Sequence, residues 1–208
     1  MCTQPVIEAF VHQLDPMLRR AHRVQEFTQD PQCVLRVALG FSNRDLQLSD
    51  GTWIRRGDPI VELHLWNERI PRMPPEGPDL AWSLRFYRRL VASLRLVARW
   101  MEQHPEARQA RALRGETSMV DPVRGLIQAL GFDLILLERG ASGWRRLRYR
   151  MDDFYVWLLI RAYNPSSLRN RRFHQLERVQ FWISREAFLR RYGGSRGTGG
   201  EDHGPSGL

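Results

Sequence analysis

The hydrophobic pattern of the chain changes period several times, and each change predicts a different element. From about residue 5 to residue 29, hydrophobic residues recur every three or four positions, which predicts a helix that Pro16 kinks or splits. Residues 33–67 alternate hydrophobic and polar side chains around two short turns, Asp50-Gly51 and Gly57-Asp58. This pattern predicts a three-part antiparallel β unit.

Two long helices are predicted in the rest of the chain. The first, about 79–103, begins after Asp79 and carries two neighbouring hydrophobic stripes, so we expect it to be buried over much of its circumference. The second, about 147–163, contains the hydrophobic run FYVWLLI, which is too short to cross a bilayer and is typical of a central core helix. Shorter elements complete the pattern: a helix at 123–130, strands at 132–137 and 179–183, and a last helix that Ser184 caps and that ends at about Tyr192.

These elements predict one α+β domain over residues 1–192, in which a small antiparallel sheet packs with two long helices. Strands and helices do not alternate regularly, so a Rossmann fold or an α/β barrel is not expected. From Gly193 onward the chain has seven glycines in sixteen residues and no large hydrophobic side chain before Leu208. We therefore expect residues 193–208 to form a disordered tail.

The charge of the chain is strongly basic and is carried by arginine alone. All 32 Lys+Arg residues are Arg, and the formal net charge is +9. The absence of lysine excludes a Walker A loop, a pyridoxal Schiff base and a kinase-type ATP site. The arginine excess has two interpretations: GC-rich coding, or an anionic partner such as a phosphate, a lipid headgroup or a nucleic acid.

Several sequence features favour a cytoplasmic location for the protein. The two cysteines, Cys2 and Cys33, form no CxxC pair, so neither a disulfide framework nor a zinc site is expected. No segment reaches about 18 consecutive hydrophobic residues, and the N-terminal residues do not have the pattern of a secretory signal. We therefore expect a cytoplasmic protein without a transmembrane segment, in peripheral contact with a membrane if its arginines bind lipid.

The clearest candidate chemistry lies in the predicted strand 60–66. Period-2 alternation places Glu62, His64 and Trp66 on one face, with Val61, Leu63 and Leu65 on the core face. A carboxylate beside an imidazole can fix the imidazole tautomer, so Glu62 and His64 are the candidates for catalysis, with His64 as a general base. Asn67, at the strand end, can add a polar contact. The alternative interpretation is a polar face with no chemical role.

Other constellations are less specific. The remaining histidines are scattered without ligand spacing, so no metal site is expected, and no motif indicates a cofactor. Asp152 and Asp153 suit the first turn of a helix, or else a glycosidase-like carboxylate pair completed by Glu62 or Glu116. No GxSxG motif and no glycine-rich phosphate loop occurs.

Arginines interleaved with aromatic residues form a candidate anion-binding segment at 144–150. Arg146 and Arg148 lie between Trp144 and Tyr149, an arrangement that can hold phosphates and stack bases, or rest on anionic lipid. A solvated basic face is the alternative. Sequence-specific DNA binding is not expected, because no helix-turn-helix, RNP or zinc-finger signature is present.

Several short motifs resemble the YkoP-like domain family of bacteria: Leu48-Ser49-Asp50-Gly51-Thr52, Gly57-Asp58, Glu62-Leu63-His64 with Asn67, Ala129-Leu130-Gly131-Phe132, Tyr163-Asn164-Pro165 and Trp182-Ile183-Ser184. The resemblance extends over about residues 5–192. It implies a domain found alone or attached to polysaccharide deacetylases, and hence a role in cell-envelope polysaccharide or glycolipid metabolism. It marks Asp58, Glu62, His64 and Asn67 as family-like positions. The chain lacks the combined Asp-Asp and HxxxH pattern of the deacetylases, since no HxxxH occurs in it, so that activity is not implied.

Three functions therefore stay open at the sequence level. The leading expectation is a cytoplasmic accessory protein that binds an anionic small molecule, a glycolipid or an envelope enzyme, through Asp58, Glu62, His64 and Asn67 together with Arg146 and Arg148. The second is a small enzyme on a sugar- or lipid-linked substrate, with His64 as base. The third is non-specific nucleic-acid binding, which predicts a steep loss of affinity with salt.

Overall fold

The computed structural model of the protein describes residues 24–117, 124–136 and 179–194. Five strands form the main sheet: β1 (Leu35–Phe41), β4 (Pro59–Leu65), β5 (Ala112–Thr117), β6 (Asp133–Leu136) and β7 (Val179–Ser184). Their order is β1-β4-β5-β7-β6. All neighbouring pairs are antiparallel except β4 and β5, which run parallel. The predicted α+β class is confirmed, and the sheet is mixed rather than wholly antiparallel.

The β unit predicted at 33–67 is a long hairpin with a shorter one inserted into it. β1 pairs with β4 from Leu35–Leu65 to Phe41–Pro59, and the small strands β2 (Leu46–Gln47) and β3 (Trp53–Ile54) pair with each other. Gly51 and Gly57 have φ angles of 85° and 91°, a region that favours glycine. The sequence signals for both turns are thus confirmed.

Four α-helices accompany the strands in the described part of the chain: α1 (Leu80–Gln103), α2 (Pro105–Arg108), α3 (Arg124–Ala129) and α4 (Arg185–Tyr192), with a 3₁₀ turn at Asn67–Arg69. The Asp79 carboxylate accepts a hydrogen bond from Trp82 N and caps α1, and Ser184 caps α4 in the same way through Ala187 N. The sequence predicts both caps. The predicted helix at 147–163 and the tail from residue 195 lie outside the described residues.

One face of the sheet packs against α1 and α4. Its core contains Val37, Val61, Leu113 and Ile183 from four strands, covered by residues of the two helices such as Leu94 and Phe188. On the opposite face, the β2–β3 hairpin covers one end and builds a smaller cluster of Leu48, Ile54, Ile60, Ala112 and Trp182. The other end of that face carries the polar residues described below.

Three expectations from the sequence were wrong in part. Residues 24–29 are not helical: the backbone of Gln25 exchanges hydrogen bonds with Val37 and extends the sheet edge. Leu65, the last residue of β4, is 47% exposed, although Val61 and Leu63 on the same face of the strand are buried. In the first two turns of α1, Leu80 and Leu84 are exposed rather than buried, whereas Trp82 is buried as expected.

Candidate functional site on the polar face of the sheet

A single row of register partners crosses all five strands of the sheet. Ala38, Glu62, Arg114, Trp182 and Asp133 are consecutive partners in that row. Side chains of directly paired residues lie on the same face. The register therefore places a carboxylate and a guanidinium side by side in the middle of the sheet, on the face opposite α1.

Among the described residues, the Glu62 carboxylate lies next to the side chains of Arg114 and His64. Its Oε1 accepts a hydrogen bond from the Arg114 guanidinium, and its Oε2 lies 3.7 Å from Nε2 of His64. The Glu62 side chain is 23% exposed, and the Arg114 side chain is 16% exposed. Because both ions are largely removed from water, their attraction is screened less than at an open surface, and it holds the carboxylate in place.

The His64 ring reaches both the protein interior and solvent. Its side chain is 36% exposed, yet Nε2 is shielded from solvent and has no hydrogen-bond partner within the described ranges. The 3.7 Å separation from Glu62 exceeds a normal hydrogen-bond length. A shielded polar atom without a partner is uncommon in native proteins and calls for an explanation. The solvent-accessible part of His64 is therefore the rest of its ring, since Nε2 itself has no contact with solvent.

Small residues on β1 make room for the carboxylate. A Cβ atom added at Gly40 would lie 3.0 Å from Glu62 Oε1, and Ala38 is the direct partner of Glu62. A larger side chain at either position would occupy the space over Glu62. The sequence LRVALGF of β1 therefore keeps this part of the sheet open to the carboxylate.

Arginines and Trp66 form the boundary of the site beyond His64. Arg36 is the register partner of His64, is buried, and places its guanidinium 4.3 Å from the centre of the Trp66 ring. Arg69 lies over the same ring at 3.3 Å. Arg36 also pairs with Glu26 and Glu68 at 3.3 and 3.5 Å. Cation–π contacts and ion pairs thus fix this side of the site.

The structure does not bring Asp58 to Glu62 and His64. Its Oδ2 accepts a hydrogen bond from Arg55 N at 2.8 Å and pairs with Arg111 Nε at 3.3 Å, so its carboxylate closes the turn before β4. Asp58 precedes Glu62 by four positions, which is about 13 Å along an extended strand. Asn67 begins the 3₁₀ turn after the strand, and its carbonyl accepts a hydrogen bond from Ile70 N.

Two further sets of candidates lie outside the described residues. These are Arg146 and Arg148 in the basic segment, and the pair Asp152 and Asp153. Their predicted roles stay predictions. Of the candidate positions named from the sequence, the structure brings together Glu62 and His64.

Arg114 is the site residue that the sequence interpretation missed. The hydrophobic pattern predicts no element over residues 106–118, although Ala112–Thr117 forms the strand between β4 and β7. Leu113 faces the helices, while Arg114 faces Glu62, so the strand alternates with period 2. That alternation could have predicted the strand from the sequence, but Gly115 and the three polar residues in the strand weakened the hydrophobic pattern.

The described residues form neither a cluster of metal-ligating side chains nor a membrane-spanning helix. Within residues 24–117, 124–136 and 179–194, no group of three or more His, Cys, Asp or Glu side chains is arranged to hold a metal ion. In those same ranges, no helix is both long and hydrophobic enough to cross a bilayer.

The comparison with known proteins covers the same residues as the sequence motifs. A family model described as the YkoP domain matches residues 5–192 of the chain. The chain belongs to the YkoP domain family. Among curated proteins, it is similar to the uncharacterized protein YkoP of Bacillus subtilis (strain 168), with 29% identity over 127 residues. No solved structure matches.

The match to the Bacillus protein is partial. It covers 59% of this chain and 66% of the relative, so the chain spans just under two thirds of the relative's length. The YkoP resemblance is nonetheless confirmed at the family level, because the family model extends over all the described elements up to Tyr192. Within this YkoP domain, the DGT and GD motifs form turns, and the ELH motif lies in β4, in the middle of the polar face.

Proposed function

We propose that this protein is a cytoplasmic, membrane-peripheral accessory protein that binds an anionic, sugar- or lipid-linked ligand of cell-envelope metabolism. The ligand contacts the Glu62, His64 and Arg114 cluster. The observation that carries this proposal is the partly exposed His64 ring next to the Glu62 carboxylate that Arg114 fixes, on the face of the sheet opposite α1. The link to envelope polysaccharide or glycolipid follows from the family resemblance.

The chemistry of the cluster suits a ligand that carries hydroxyl and phosphate groups. A carboxylate accepts hydrogen bonds from sugar hydroxyls, and an imidazole N–H donates to a phosphate oxygen. The partly exposed side chains of His64 and Glu62 are reachable from solvent, whereas Arg114 acts mainly by positioning Glu62. The permanent positive charge of the chain would raise the local concentration of an anion.

A thermal-shift screen tests the ligand site. Wild-type protein, His64→Ala and Glu62→Gln would be heated with a panel of sugar phosphates and nucleotide sugars. We expect at least one compound to raise the wild-type Tm and to leave the Tm of both variants unchanged. His104→Ala is the matched control, because His104 Nδ1 is also shielded and unpartnered among the described residues, in the connection between α1 and α2.

The stability of the variants separates a ligand site from a structural one. If His64→Ala lowers the Tm of the ligand-free protein severely while no compound shifts the wild type, the cluster is structural and the proposal fails. If His104→Ala abolishes the ligand-induced rise in Tm as His64→Ala does, the loss is not specific to His64, and the site has been assigned to the wrong residues.

An enzymatic role is the second candidate, and one observation favours it. Glu62 Oε2 lies near His64 Nε2, so a carboxylate is available to orient the imidazole for proton transfer. A separate groove, lined by Phe27, Leu96, Arg99 and Trp100, contains neither Glu62 nor His64. Turnover of a compound identified in the screen, lost in His64→Ala, would establish this role.

A further inference from the structure

The first half of α1 presents a hydrophobic stripe to solvent. Leu80, Leu84 and Tyr87 recur at helical spacing and are 76%, 46% and 38% exposed. Farther along the helix the same stripe is buried, through Leu94, Ala98 and Met101. A helix of a globular protein normally buries such a stripe along its whole length. The exposed half therefore requires its own explanation.

Exposed arginines lie beside this stripe. Arg85, Arg88, Arg95 and Arg99 are on the exposed side of α1, and no acidic residue occurs between Leu80 and Met101. None of these four arginines pairs with a carboxylate within the part of the chain that the structure describes. The helix surface thus combines exposed leucines with uncompensated positive charge.

A cap and several contacts of Trp82 stabilise the start of α1, so the exposed stripe lies on a well-formed helix. The Asp79 carboxylate accepts from Trp82 N at 2.6 Å, and the Trp82 indole N–H donates to the Pro71 carbonyl at 2.8 Å. The Trp82 ring stacks on Phe86, with 5.3 Å between centroids. These contacts fix the first turns of the helix, while the side chains of Leu80 and Leu84 stay exposed.

A bilayer with anionic headgroups matches this surface. Hydrophobic side chains of an interfacial helix enter the boundary of the acyl chains, and flanking arginines attract negative headgroups. Single-stranded nucleic acid fits less well, because leucines provide no ring on which a base can stack. We propose that the first half of α1, through Leu80, Leu84, Tyr87 and the neighbouring Arg88, docks on an anionic membrane surface. This rests on the membrane-peripheral part of the proposed function and is independent of the ligand site.

Vesicle flotation with the full chain tests the docking surface. The vesicles contain either phosphatidylcholine alone or equal parts of phosphatidylcholine and phosphatidylglycerol. We expect binding to the mixed vesicles at low salt, weaker binding at high salt, and no binding to phosphatidylcholine alone. Leu84→Ser combined with Arg88→Gln should weaken binding at least about ten-fold, since the arginine alone contributes about five-fold.

A matched control variant changes a different surface. Trp53 is 46% exposed, as Leu84 is, and Arg55 lies over its ring at 4.7 Å. Trp53→Ser with Arg55→Gln therefore removes one equally exposed hydrophobic residue and one exposed cation from the β2–β3 hairpin. We expect this control to bind vesicles as the wild type does.

Three outcomes would overturn the inference. The first is that the protein fails to float with phosphatidylglycerol vesicles at low salt, and the second is that the hairpin control loses binding while the α1 variant keeps it. The third outcome is that single-stranded RNA releases the protein from the vesicles. His64→Ala separates this inference from the ligand site. It should float normally, so a failure of ligand binding in that variant and a failure of flotation in the α1 variant are distinguishable.

Discussion

At Glu62, neighbouring strands bring together a carboxylate, a guanidinium and an imidazole. Arg114 reaches Glu62 because β4 and β5 pair in parallel with these two residues in register. His64 follows Glu62 by two positions on the same strand and therefore shares its face. Partial burial strengthens the attraction between Glu62 and Arg114, and it also makes the loss of either partner costly.

A double-mutant cycle measures the coupling between these two side chains. We expect Arg114→Met to lower the free energy of unfolding by about 1–2 kcal/mol, and the coupling with Glu62→Gln to be about 1 kcal/mol. These values lie between those of surface and buried pairs, because both side chains keep some exposure. Urea denaturation of the four proteins gives the coupling, and a value of zero would show that the contact does not hold the carboxylate.

Gly115 is required for close packing between β5 and β7. A Cβ atom at this position would overlap the ring of Phe181, and the ring must move to relieve this overlap. We expect Gly115→Ala to cost about 1–3 kcal/mol in urea denaturation. Phe181→Leu in the same chain should recover part of that loss.

Gly125 provides the control for this substitution. It lies in α3, and a Cβ atom added there would have no neighbouring atom within 4 Å among the described residues. Gly125→Ala should be neutral or stabilise the protein by about 0.5–1 kcal/mol, because alanine favours a helix. Equal losses at Gly115 and Gly125 would mean that the Phe181 contact is not the cause.

At the scale of elements, α4 is tied to the turn after α3 by one buried hydroxyl. Tyr192 Oη donates a hydrogen bond to the Leu130 carbonyl at 2.8 Å. Burial raises the pKa of Tyr192 above its ordinary value of 10.0, although Arg191 offsets part of this rise. The unfolded chain therefore loses the Tyr192 proton at a lower pH than the folded chain does.

Alkaline pH should weaken the protein through this group. The contribution of Tyr192 to the free energy of unfolding is complete below about pH 10 and falls as the pH rises further, through the raised folded-state pKa. Tyr192→Phe should flatten the fall in stability between neutral pH and about pH 11, measured by urea denaturation. Identical slopes in the wild type and in Tyr192→Phe would contradict the assignment.

Elements with a clear period and clear boundary residues could be predicted from the sequence. The capped helices that follow Asp79 and Ser184, and the turns at Gly51 and Gly57, carry local signals that the structure confirms. Strand β5 could not be predicted in the same way, because its polar residues are stabilised by neighbours distant in sequence. Arg114 is paired with Glu62, 52 residues earlier in the chain.

The same reasoning explains what was missed in the site. Glu62 and His64 share one strand, so the period of β4 was sufficient to bring them together. Arg114 required the pairing of β4 with β5, which depends on sheet topology rather than on local pattern. The exposure of Leu80 and Leu84 likewise depends on tertiary packing around α1, and the helical period does not contain that information.

For the whole molecule, the sheet separates two surfaces with different proposed tasks. Its helix-covered face contains the main core, and α1 extends from that core with the exposed stripe of its first half. Its opposite face holds the cluster of Glu62, His64 and Arg114. A domain built in this way would contact a membrane through α1, while the ligand site on the opposite face of the sheet stays accessible.

Native mass spectrometry of protein purified gently from its own host tests the central claim most directly. Wild type and His64→Ala would be prepared in parallel, and charge states would report whether each is folded. We predict a wild-type protein that carries an additional mass with the composition of a sugar phosphate or glycolipid, and a folded His64→Ala variant without it. Identical spectra of the two folded proteins, with or without a bound mass, would contradict the account.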